Sequence, residues 1–377
     1  MKHKIPQLDA VRGIAILIVI FHNSLGKFPS LPLQSLASYG WMGVDLFFVL
    51  SGFLITGILL HTNLSEGYFK NFYARRCLRI WPLYFLILFC MFVFVPLLRP
   101  ALGSAVFARS SPWWAYPFFL QNMLVYHPSS AAGPLGVTWS VAIEEQFYMV
   151  WAIAVRYCSY AQLRRLAAAV ICLSPILRLY LSHHDVSVYS NVFCRLDGLM
   201  AGSLLALLVR SATFVPAKFL KAAWLSLFAA ALLGFFAEAL HARWLTFSMS
   251  VLASAAFVYL SLFATQKWFR WALTNRCLVY TGGISYGLYL LHKIPFDMVL
   301  LFRLDRYPLL ALLTGLAFTY VLAILSWNLL ESPFLKLKRY FEPVWTPGGR
   351  QMQVVADAHS LPRPLYSMIN GSFEGPD

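Results

Sequence analysis

Charge is scarce in this chain of 377 residues: Asp, Glu, Lys and Arg make up only 12% of it. That is about half the share found in soluble globular domains, which excludes an ordinary soluble protein. Acidic residues are the scarcer sign, 15 against 30 Lys and Arg, for a net charge of +15. Cysteine pairing motifs are missing too. Cys77, Cys90, Cys158, Cys172, Cys194 and Cys277 show no CxxC spacing and no zinc-type His pairing, so a disulfide framework, a redox motif and a metal site are all excluded. Short alternating segments are absent, which excludes an outer-membrane barrel. No small-x-small cleavage site follows the first apolar run, so residues 1–25 are expected to stay as a helix rather than act as a leader.

What is present is hydrophobicity, 60% of the chain with 16% aromatic residues. Apolar runs of about 20 residues recur from end to end. The fold class is therefore all-α, a polytopic membrane protein whose spans satisfy their own backbone hydrogen bonds. Ten spans are predicted, at roughly 11–26, 41–60, 80–98, 138–157, 166–182, 192–209, 222–240, 244–263, 279–302 and 308–330. With the N-terminus inside, cytoplasmic segments hold most Lys and Arg, including Arg75, Arg76, Arg79, Arg164, Arg165 and Lys338. Outer segments hold Lys27, Arg99, Arg109, Arg243, Arg303 and Arg306. This asymmetry puts both termini in the cytoplasm and accounts for the positive charge without a nucleic-acid partner. Trp113–Tyr126 is short for a span and carries Pro117, so it is expected to be interfacial or re-entrant. Residues 1–340 form one membrane domain, and 341–377, rich in Pro, Gly and polar residues, read as a flexible cytoplasmic tail. No internal repeat is visible, which weakens a transporter reading.

Ionisable residues inside apolar spans need a reason to be there. The first span carries Arg12 and His22. Helical rise separates them by roughly 15 Å, about half the hydrocarbon thickness. Asp45 lies at a similar depth on the antiparallel neighbour. It would orient His22 and raise its basicity, or else serve as an interfacial helix cap. Arg76 and Arg79 share a helix face and suit a phosphate, although positive-inside placement also explains them. Ser140 and Glu144 face one way at i,i+4. Glu144 is either a substrate contact or the partner of an intramembrane Arg. Arg195 and Asp197 read as a buried structural pair. Ser285, Tyr289 and His292 form one stripe, with Tyr286 beside it, and His292 is equally a core residue or a site residue.

Taken in order, these segments resemble the acyltransferase-3 family of integral-membrane O-acyltransferases. The resemblance rests on Leu8-Asp9-x-x-Arg12-Gly13…His22, on Gly43-Val44-Asp45-Leu46-Phe47-Phe48-Val49-Leu50-Ser51-Gly52, and on Arg76-x-x-Arg79-Ile80-x-Pro82-x-Tyr84. Trp139-Ser140-x-x-x-Glu144-x-Gln146-Phe147-Tyr148, Arg195-x-Asp197-Gly198, Ser285-Tyr286-x-x-Tyr289-Leu290-x-His292 and Glu331-x-Pro333-Phe334 complete it. It covers Leu8 to about Lys338, with Val141 standing where the family usually has Leu.

The resemblance implies transfer of an acyl group, commonly acetyl, from acyl-CoA to a hydroxyl of a glycan such as a bacterial surface polysaccharide. It implies that Arg12 and His22 are essential and that Arg76 and Arg79 serve the donor. Some relatives carry a C-terminal hydrolase-like domain, which this chain is expected to lack. The expected mechanism has His22 as general base, Asp45 orienting it, and Ser140, Glu144, Tyr286 and His292 on the acceptor side. An acyl-His22 intermediate is left open. Acyl-CoA, a glycan and the lipid bilayer are the expected partners, no metal is expected, and the setting is a bacterial inner membrane. A macrolide or lipid acceptor, or a proton-coupled transporter, is the alternative. Oligomeric state is not legible.

Overall fold

The computed structural model describes residues 5–344 apart from 33, 102, 104–105, 107–110, 125–132, 185, 212–213 and 240–241. The expected tail from 345 onward and Arg109 lie outside the described residues.

The chain is an all-α polytopic membrane protein. Eight of its described helices are long and apolar enough to cross a membrane. The elements that position the site are α1 (Pro6–Leu25), α2 (Gln34–Ala37), α3 (Met42–Thr62), α4 (Tyr68–Leu98) and α5 (Thr138–Tyr157). They are followed by α6 (Tyr160–His183), α7 (Val192–Val209), α8 (Pro216–Ala239) and α9 (Arg243–Phe263). After a seven-residue helix (Lys267–Leu273) come three short helices, α10 (Arg276–Gly283), α11 (Ser285–Leu291) and α12 (Lys293–Leu301), and then α13 (Pro308–Phe341). Local chemistry sets several ends. Pro6 opens α1 where its missing N–H costs nothing, with Asp9 in the first turn and His22 in the last, as the helix dipole favours. Ser159 and Gln162 cap α6 reciprocally.

Two of the ten expected spans differ from the expectation in form. Helix α5 is a continuous 20-residue helix, but Glu144, Glu145 and Arg156 keep it out of the purely apolar set. The expected span 279–302 is broken into α10, α11 and α12. Gly282 and Gly283 weaken the first junction, and Pro295 has no N–H for the carbonyl of Leu291 at the second. Helix α4 starts earlier than expected, at Tyr68, so Arg76 and Arg79 sit within it rather than ahead of it.

Residues 113–124 form a short 3-10 turn and further turns, with no spanning helix. Irregular backbone at membrane depth has to be satisfied by protein. Tyr84 donates to the Tyr116 carbonyl at 3.0 Å, and Gln121 donates to the Thr138 carbonyl at 3.0 Å. Gln146 reaches the Phe119 carbonyl at 2.6 Å.

Helices α3 and α7 meet through glycine on both sides. A Cβ on Gly52 would overlap the Leu199 carbonyl, and one on Gly202 the Val49 carbonyl. Helices α1 and α10 repeat the device, with Gly13 against Leu278 and Gly282 against Asp9. Small residues let backbones approach where lipid supplies no hydrophobic drive. Gly52→Ala should therefore destabilise the protein by about 1–3 kcal/mol. Gly57→Ala, whose Cβ would meet the Arg210 side chain no closer than 3.6 Å, should not. Thermal unfolding in detergent checks the pair, and equal melting would contradict the packing account.

Candidate active site

A cleft of about 770 Å³ opens among α1, α3, α4, α5 and α11. Arg12, Arg76, Arg79, Ser140, Glu144 and Tyr286 line it, joined by Ser51, Tyr148 and Tyr289. Six residues singled out from sequence thus converge on one space. A second cavity of about 830 Å³ adjoins it and shares Arg12, Leu54, Arg76 and Arg79. The arginines form the boundary between the two.

Each wall has an identifiable origin. Arg76 and Arg79 are one turn apart on α4. Arg76 lies over the rings of Phe72 and Tyr148, 5.8 Å from each centroid, which holds a long side chain without neutralising it. Arg12 is paired with Asp9 one turn before it, at 2.9 Å. Glu144 accepts from Ser51 at 2.6 Å and from Tyr148 at 3.0 Å, so both carboxylate oxygens are engaged. Its hydrogen bonds go to hydroxyls, while Arg76 and Arg12 line the same cleft. Ser140 and Tyr289 share a hydrogen bond of 2.6 Å. Tyr286 donates to the Ile80 carbonyl at 2.6 Å, tying α11 to α4.

Three expected site residues lie outside the cleft lining. His22 is half-buried near the end of α1, and its Nδ1 is 2.7 Å from the Ala37 carbonyl. A carbonyl only accepts, so Nδ1 carries a proton, and Nε2 is the nitrogen left for a substrate. The register places His22 just beyond the cleft. Gly43, beside the cleft-lining Val44, packs on Ala15 and Val19, and Gly40 packs on His22 and Ile18. That step is about one helical turn, some 5 Å.

Asp45 does not orient His22. It is 1% exposed and its Oδ1 lies 2.6 Å from Arg195 Nη2. Asp45 lies deeper along α3 than the turn of Gly40 that meets His22, and it faces α7. The Arg195 guanidinium sits among the rings of Trp41, Phe48, Trp139, Tyr189 and Phe247, at 4.5 to 6.0 Å from their centroids. Arg195 and Asp197 do not pair with each other either, because residues two apart point to different helix faces. Asp197 instead holds Arg178 at 2.8 Å. His292 is fully buried, with Nδ1 2.7 Å from the Tyr289 carbonyl and no partner for Nε2 among the described residues.

The hydroxyls of Ser51 and Tyr148 were missed as site residues. In sequence both stand only within the family pattern, although Tyr148 lies i+4 from Glu144 on the same face. Among the described residues, no three His, Cys, Asp or Glu side chains gather as a metal site.

Comparison with known proteins places this geometry. A family model described as an acyltransferase domain matches residues 5–328. A Staphylococcus aureus protein provisionally named an O-acetyltransferase is 29% identical over 98% of this chain and 63% of its own length. A Bacillus subtilis protein provisionally named a peptidoglycan O-acetyltransferase is 34% identical over 54% of this chain and 33% of its own. The peptidoglycan O-acetyltransferase of Listeria monocytogenes is 35% identical over 39% of this chain and 23% of its own. The chain thus spans less than two thirds of the length of these relatives. No solved structure matches.

Proposed function

Because the chain belongs to the acyltransferase-3 family, we propose that it transfers an acyl group, foremost acetyl, from acyl-CoA to a glycan hydroxyl in the cell wall or surface polysaccharide. The peptidoglycan named for the Listeria and Bacillus relatives directs the acceptor towards cell-wall glycan. The observation that carries this reading is the cationic boundary of Arg12, Arg76 and Arg79, shared by two adjoining cavities, with His22 further along the same helix as Arg12. CoA is rich in phosphate, and fixed guanidinium groups suit phosphate.

The proposed site runs from the donor phosphates at Arg76 and Arg79, past Ser51 and Glu144, towards Ser140 and Tyr289. His22 Nε2 removes the proton from the acceptor hydroxyl. The freed oxygen attacks the thioester carbonyl, and collapse of the tetrahedral adduct releases CoA thiolate, which is then protonated. Glu144 fixes the hydroxyls of Ser51 and Tyr148 along the route. The arginine end of the bundle and both termini face the cytoplasm of a bacterial inner membrane, so the acyl group travels outward to the acceptor. Arg178–Asp197 and Arg195–Asp45 hold the helices of the His22 end in register.

Arg76→Ala and Arg79→Ala should each weaken acyl-CoA binding by about tenfold, the cost of one charge-assisted contact. Acceptor binding should stay unchanged. Titration calorimetry of the purified chain reads this directly, and wild-type donor affinity in both variants would reject the donor site. Mass spectrometry of cell-wall glycan from cells with and without the gene identifies the acceptor.

A further inference from the structure

The second cavity has a wall that the catalytic reading does not use. The last part of α13, a 3-10 turn (Leu337–Phe341), and the residues on to 344 form a strap that packs across the first turns of α4. The segment is fastened largely through its backbone. The Glu66 amide donates to the Val344 carbonyl at 2.9 Å, Asn71 to the Glu342 carbonyl at 3.3 Å, and Arg75 to the Phe341 carbonyl at 3.5 Å. Fastened this way, the strap puts Lys338 and Pro343 into the lining of the cavity together with Arg75, Arg76 and Arg79. No carboxylate lines that cavity. Among the described residues, Arg76, Arg79 and Lys338 have no acid within ion-pair distance. Neighbouring Arg339 behaves otherwise: it is exposed and lies over its own neighbour Tyr340, at 4.9 Å.

Arg12, Arg75, Arg76, Arg79 and Lys338 line one cavity with no carboxylate in its lining, and basic groups gathered this closely disfavour one another's charge. An anion of more than one charge lying among them would turn that repulsion into attraction.

We propose that Lys338, carried on the strap 337–344, is a ligand-binding residue that closes a diphosphate site against Arg75, Arg76 and Arg79. This rests on the acyl-donor reading and deepens it. The donor is gripped from two sides, and the strap is ordered by what it holds. A diphosphate belongs both to CoA and to the headgroup of an isoprenoid diphosphate lipid, and the experiment separates these sources.

The full chain, purified in detergent, is titrated with CoA, inorganic pyrophosphate, farnesyl diphosphate and pantetheine. Pyrophosphate and CoA should bind and pantetheine, which lacks phosphate, should not. Lys338→Met should weaken CoA and pyrophosphate binding at least tenfold, Lys338→Arg should restore it, and Arg339→Met should leave it unchanged. Farnesyl diphosphate binding that depends on Lys338 while CoA binding does not would assign the site to a lipid and overturn its placement on the donor. If wild type binds CoA and Lys338→Met binds it equally well, the strap has no part in the site, and the donor reading stands without it. If wild type binds neither CoA nor pyrophosphate, both fail. Wild type also supplies a test that needs no variant: CoA should slow tryptic cleavage after Lys336, Lys338 and Arg339, and an unchanged cleavage rate on binding would overturn the proposal.

Discussion

His22→Ala is expected to lower acyl transfer by about 10²–10⁴-fold, the usual contribution of a positioned general base. Donor binding should be unaffected, because the arginines of the donor site lie elsewhere on α1 and α4. The expectation rests on geometry at both ring nitrogens. Nδ1 is committed to the Ala37 carbonyl, which sets the ring orientation and leaves Nε2 as the basic atom. Gly40 supports this placement, since a side chain there would run into the His22 Cβ and the Ile18 carbonyl. The loss should therefore fall on kcat, and KM for the donor should hold. An unchanged kcat in a well-folded preparation would remove His22 from the chemistry.

Asp45→Ala is expected to cost about 3–5 kcal/mol of stability, the penalty for stranding one half of a buried ion pair. Its partner Arg195 is 1% exposed and enclosed by aromatic rings, so no water replaces the carboxylate. The aromatic faces attract the guanidinium but do not neutralise it. The double variant Asp45→Leu, Arg195→Met should recover most of the loss, because removing both charges removes the desolvation cost along with the attraction. Unfolding in detergent measures all three chains. If Asp45→Ala melts with wild type, the pair is not what holds α3 to α7.

The contrast between these two residues shows where sequence reasoning ends. Hydropathy and helical rise suggest a similar depth for His22 and Asp45, whereas the glycine register sets His22 beside Gly40 and Asp45 deeper, beyond the level of Gly43. Which way each faces is set by helix rotation, and that follows from glycine contacts at Gly40, Gly43 and Gly52 that a hydropathy profile does not weigh. The break in the ninth expected span was readable at Gly282, Gly283 and Pro295, but the apolar run masks it. Arg76 and Arg79 were legible as a pair because their spacing is one helical turn. Lys338 was not, because only the folded chain brings residues 337–344 back to the start of α4. Glu144 carried half its meaning in sequence, the shared face with Ser140, while the Ser51 hydroxyl that bonds it comes from another helix.

The central claim is acyl transfer from acyl-CoA to a glycan hydroxyl, and one assay addresses it most directly. The purified chain in liposomes is given acetyl-CoA labelled in the acetyl group, with and without soluble peptidoglycan fragments. The account predicts label on the glycan as an alkali-labile ester, with one free CoA thiol released for each ester formed, and neither product from His22→Ala. Transport of acetyl-CoA or fragments without ester formation, or esters formed equally well by His22→Ala, would contradict it.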